Sequence, residues 1–79
     1  MAEAEQYDTT DRSIILLLLT AGLPITSTSV DDRNKTKFHF DRVQATAWID
    51  KLHRNESIKF EFSDFIKALG LFNGIVHSR

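Results

Sequence analysis

No cysteine occurs anywhere in the chain, which removes disulfides, thiolate metal sites and cysteine nucleophiles together. Long apolar stretches are missing too: the longest continuous run, Ile14 to Leu19, is six residues, where a spanning helix needs about 20. No membrane crossing is expected. The residues ahead of that run are acidic (Glu3, Glu5, Asp8, Asp11) rather than basic, and no small-residue cleavage pattern follows it, so a signal peptide is not indicated either and the expected location is cytoplasmic. Glycine is scarce, and none of Gly22, Gly70 and Gly74 belongs to a phosphate-cradling loop. No serine sits in a glycine-flanked elbow, no His-Glu-x-x-His pattern occurs, and His39, His53 and His77 lie far apart in the chain. With neither catalytic motif nor metal spacing, the sequence reading is that the protein is not an enzyme, with no catalytic residue, metal or cofactor to assign. Pairing His39 or His53 with a carboxylate in a pocket would reopen that question.

What is present fits one small domain. The 79 residues, 42% hydrophobic and 27% charged, have an ordinary globular composition, with stability expected near the low end of about 5–15 kcal/mol. The net charge is −1, but four of the eleven acids fall in residues 1–11, where no base occurs. Residues 1–10 therefore read as a loosely held acidic segment and 11–77 as the folded domain.

A short phrase occurs twice, Lys37-Phe38-His39-Phe40-Asp41 and Lys59-Phe60-Glu61-Phe62-Ser63. In each, apolar residues alternate with polar ones, an N-cap side chain follows, and the spacing changes to that of a helix. A leucine-rich helix is expected over Arg12 to Ala21, capped by Asp11 or Thr10, with Gly22 in the left-handed conformation after it and Pro24 as a stop. A hairpin follows, Ile25–Val30 and Lys35–Phe40 about the turn Asp31-Asp32-Arg33-Asn34. Asp41 with Gln44 then opens a helix to about Arg54, with Ala45, Trp48, Ile49 and Leu52 inward. Trp48 is expected to contribute most, so that truncating it costs about 3–5 kcal/mol. Ile58 to Phe62 is read as a short strand; if it joins the sheet beside the second, the intervening helix is a right-handed crossover. Ser63 is read as the cap of a last helix with Phe65, Ile66, Leu69 and Phe72 on its stripe. Gly70 and Gly74 either admit a close backbone neighbour, or Gly74 ends that helix. The fold class is α+β: helix, hairpin, helix, short strand and helix, with the helices on one face of a two- to three-stranded sheet, and Phe38, Phe40, Phe60 and Phe62 in the core.

If those rings are spent on the core, function falls to the exposed side chains. Arg33, Lys35, Lys37 and His39 present a basic face on the hairpin, and Lys51 and Arg54 add charge on the second helix. Thr26 and Thr28 lie on a strand that offers main-chain groups for strand addition. Partner binding through these residues is the first expectation, together with a homodimer that buries the surplus leucines. The alternative is weak nucleic-acid binding by the basic hairpin face, whose phenylalanines alternating with lysines otherwise suggest a stacking platform.

The sequence Asp11-Arg12-Ser13 leading into leucines, then Ala21-Gly22-Leu23, the Lys37-to-Asp41 strand, Trp48 in a helix and Phe65-Ile66-Lys67-Ala68-Leu69 resembles a family of short bacterial and phage proteins known only as a domain of unknown function. The resemblance spans about residues 9–76 and rests on structural motifs. It implies a compact intracellular module, often phage-encoded, and supplies no active-site residues. By analogy with other small phage proteins, it suggests inhibition of a host defence system by covering a surface.

Overall fold

A computed structural model describes residues 6–77. Three strands and three helices follow in the order β1 (Gln6–Thr9), α1 (Arg12–Thr20), β2 (Ser27–Val30), β3 (Thr36–Asp41), α2 (Arg42–His53) and α3 (Phe62–His77). The expected α+β class with a three-stranded sheet is what the chain forms.

The third strand is not the expected one. Residues 58–61 form no strand, and the sheet is completed by β1, in the order β1-β3-β2 with both neighbours antiparallel to β3. Tyr7 registers with Phe40 and Thr9 with Phe38, so β1 lies within the segment the sequence suggests is loose; residues 1–5 of that segment are outside the described residues. With β1 and β2 parallel to one another across β3, α1 makes the crossover of a split β-α-β unit.

Helix α1 has the ends its sequence specifies. The Asp11 Oδ1 accepts from the N–H groups of Ser13 (2.9 Å) and Ile14 (3.4 Å). At the other end, Gly22 at φ +90° donates to Leu19 O and Leu23 to Leu18 O, a Schellman closure. Asp41 caps α2 by accepting from Gln44 N at 3.0 Å. Asn55, at φ 61°, takes the left-handed position after α2, where Asn55 N donates to Leu52 O and Glu56 N to Lys51 O. The hairpin closes on Asp31, whose main-chain N–H donates to Lys35 O while its Oδ1 accepts from Arg33 N and Lys35 N at 2.9 and 2.8 Å. Those bonds hold the Asp31 carboxyl below its ordinary pKa, the Lys35 N–H contributing most.

The core is one cluster: Ile15, Leu18, Leu19 and Leu23 from α1 and its cap, Phe38 and Phe40 from β3, Ala45 from α2 and Ala68 from α3. Phe72 stacks on Phe38 at 5.6 Å. The helices pack chiefly on β3 and β1, and all four residues of β2 are exposed. Val30 is on the helix side by register, opposite buried Thr36, yet is 52% exposed.

Several expected core positions are instead at the surface. Phe60 is 37% and Phe62 73% exposed, because no neighbouring strand brings their segment into the sheet. Trp48 is only half-buried, with Phe60 at 5.3 Å. Leu52, Phe65 and Ile66 are also exposed, and the buried contact of α3 centres on Ala68. Ser63 is not a cap: α3 begins at Phe62, with Glu61 O accepting from Asp64 and Phe65. Nor does Gly74 end α3, which continues to His77; nothing lies within 4 Å of a Cβ built on Gly70 or Gly74, so neither admits a close neighbour.

Candidate functional site

Alternation along β3 divides the sheet into two faces. Thr36, Phe38 and Phe40 turn to the helices; Lys37 and His39 turn to the open face, as their spacing predicts. The register brings Asp8 of β1 and Ser27 of β2 beside His39, and Ser29 beside Lys37.

On that open face, His39 Nδ1 lies 2.6 Å from Asp8 Oδ1, and its Nε2 lies 2.9 Å from Ser29 Oγ. One residue from each strand thus forms an Asp–His–Ser line across the sheet. The His39 side chain is 14% exposed and that of Asp8 47%. The histidine that is isolated in sequence has both ring nitrogens occupied. A carboxylate only accepts, so Nδ1 carries the proton given to Asp8; in the neutral ring Nε2 then accepts from the serine hydroxyl. Neither Asp8 nor Ser29 is among the residues the sequence singles out, because each gains its meaning only from strand register.

The other expected site residues fall into separate groups. Arg33, Lys35 and Lys37 line an open hollow of about 390 Å³ with Asp31 and Asp32, so acid and base are mixed there. Thr26 donates both its N–H (2.8 Å) and its hydroxyl (3.0 Å) to His39 O, which fixes the start of β2. Thr28 lies opposite Phe38 and stays exposed. Because Asp31 N bonds Lys35 O, ladder alternation points the main-chain groups of Thr28 and Val30 outward along the free edge. Lys51 and Arg54 are not part of the hairpin hollow. The Lys51 ammonium sits 4.6 Å over the Trp48 ring, and Arg54 Nε pairs with Glu56 at 2.6 Å.

A second surface is apolar. Leu16, Leu17, Leu52, Ile58, Phe60 and Phe65 line a groove of about 410 Å³ between α1, the end of α2 and the start of α3. Phe62, whose ring lies 6.5 Å from that of Phe65, continues it outward, with Ile66 one turn further on. The alternation of Phe60 and Phe62 predicts core positions, so this surface has no signature of its own in the sequence.

Among the described residues, no group of three or more His, Asp or Glu side chains is gathered as a metal site, and no helix is long and apolar enough to cross a membrane. Comparison with protein-family models, curated proteins and solved structures finds no match for this chain. Its functional reading therefore rests on its own residues.

Proposed function

We propose that the protein is a cytoplasmic protein-interaction module that pairs with a second copy of itself through the groove between α1 and the α2–α3 connection. Its binding role needs no catalytic step. The observation that carries this reading is the concentration of exposed large apolar side chains at Leu52, Phe60, Phe62, Phe65 and Ile66. At about 200 Å² for a whole aromatic side chain, their exposed part amounts to roughly 450 Å², at the upper end of what a monomer leaves open. Two such surfaces facing one another bury about 900 Å² before any polar rim is added, which approaches the roughly 1,200 Å² of a stable interface. Lys59 and Glu61, of opposite sign, flank Phe60 in the chain, which suits a two-fold, self-complementary contact.

Pairing there leaves the β2–β3 hairpin free. In this proposal its uncovered edge and the Arg33, Lys35 and Lys37 side chains meet a different protein and block a surface on it, as expected of a phage-encoded inhibitor. Sedimentation equilibrium of the full chain should give the mass of a dimer, and Phe62→Asp should give that of a monomer with an unchanged far-UV spectrum. A wild-type monomer across the accessible concentration range rejects the pairing.

Nucleic-acid binding is the second reading, supported by the three bases sharing one hollow. Asp31 and Asp32 in the same hollow rank it lower. It requires binding that weakens steeply with salt, because neutralised phosphates release counterions.

A further inference from the structure

We propose that Ser29 is a nucleophilic serine, with His39 as its general base and Asp8 as the residue that positions His39, and that the site takes small activated esters of short acyl groups. This inference is independent of the binding role and departs from the expectation that the chain carries no catalytic residue. It rests on the 2.9 Å Ser29 Oγ to His39 Nε2 contact and the 2.6 Å His39 Nδ1 to Asp8 Oδ1 contact. With Nδ1 donating to the carboxylate, the imidazole lone pair at Nε2 is directed at the serine proton, the arrangement that activates a hydroxyl. Nearness alone does not produce it: Ser27 is the direct register partner of His39, yet the hydroxyl at Nε2 belongs to Ser29.

Charge developing on the substrate also has a counterpart. Lys37 is the register partner of Ser29 on the same open face, so its long, flexible side chain starts within reach of the carbonyl under attack. Among the described residues, the site lies on the face of the sheet turned away from the buried side of β3. The suitable chemistry is therefore the kind that needs least positioning, a good leaving group such as a phenolate.

In the first step the Ser29 oxygen bonds to the ester carbonyl carbon, its proton passes to His39 Nε2, and the bond from that carbon to the aryl oxygen breaks. The leaving group departs as the phenol, taking the proton from Nε2. Water then attacks the acyl-Ser29 carbonyl and gives a proton to Nε2. Return of that proton to the Ser29 oxygen as the acid departs restores the site, so ester and water become acid and phenol.

The test is incubation of the full chain with p-nitrophenyl acetate, with release of p-nitrophenol followed optically and the acetylated residue mapped by peptide mass spectrometry. Acetyl should appear on Ser29. It should be lost from that peptide in Ser29→Ala and kept in Ser27→Ala, while His39→Gln slows acetylation by about 100-fold, the usual share of a general base. Asp8→Asn separates positioning from scaffolding: an amide can donate to Nδ1 and drive the ring proton to Nε2, so acetylation should fall while the melting temperature stays within that of Ser27→Ala. Acetyl confined to lysines, or equal on Ser27 and Ser29, or an unchanged rate in folded His39→Gln, overturns the proposal and leaves the three side chains as ties between strands.

Discussion

Replacing Phe38 by alanine should destabilise the protein more than replacing Trp48, although tryptophan is the larger side chain. Phe38 is wholly buried, at 0% exposure, and its ring stacks on Phe72 at 5.6 Å with an 18° tilt. Removing it deletes a full aromatic burial and leaves a cavity among Ile15, Leu18 and Phe40, a loss of about 3–5 kcal/mol. The ring pair adds about 0.5–1.5 kcal/mol to what is at stake. Trp48 is half-buried, and its ring neighbours are Phe60, itself 37% exposed, and the Lys51 ammonium. Its truncation opens a surface notch that water fills, so about half the core figure, roughly 2 kcal/mol, is expected. Because a domain of this size has a total of only about 5 kcal/mol, Phe38→Leu belongs in the same series as a milder variant costing about 1–2 kcal/mol. Urea unfolding followed by far-UV circular dichroism at a fixed protein concentration is the suitable assay. Fluorescence is not, because Trp48 is the only tryptophan. A Trp48→Ala variant that loses as much as Phe38→Ala, or more, would refute this view of where the core lies.

Gly22→Ala should lower stability by about 1–2 kcal/mol, seen as a fall in thermal midpoint, because φ is +90° there although a Cβ would meet nothing within 4 Å. The cost is in the backbone alone, so Gly70→Ala, in a helix and equally unobstructed, should act in the opposite direction. Asp31 makes the hairpin sensitive to acid. Its folded-state pKa is lowered, so its contribution is complete above the ordinary carboxylate range and disappears as pH falls through the lowered value. Asp31→Asn should therefore flatten the dependence of the melting temperature on pH at the acid end; an unchanged slope would show that the carboxylate bonds to Arg33 and Lys35 contribute nothing.

The parts of the fold that were legible in the sequence are those set by local chemistry. Asp11, Gly22 and Asp41 mark helix ends through bonds to residues within a few positions, and the alternation Thr36-Phe38-Phe40 is buried because β3 is the middle strand. Ile58, Phe60 and Phe62 carry the same alternation but have no strand beside them, so Ile58 and Phe60 lie in a connection and Phe62 is taken into the first turn of α3. β1 failed in the opposite sense. Gln6-Tyr7-Asp8-Thr9 is short and polar, with Tyr7 as its one large apolar residue, and its pairing is supplied by β3 from some thirty positions away. The Asp8–His39–Ser29 line was illegible for that reason, since it exists only once β1 and β2 have both registered against β3.

The placement of β3 between its neighbours also governs the order of events as the chain leaves the ribosome. Both flanking strands and the crossover helix are synthesised before the one strand that either can pair with, so the nascent chain carries the Ile14-to-Leu19 leucines exposed until Asp41 has emerged. Closure of the sheet is then a late and concerted event. A pause in translation that falls after α1 has emerged and before Asp41 has done so prolongs the exposed interval, whereas release of the finished chain makes the whole sheet available.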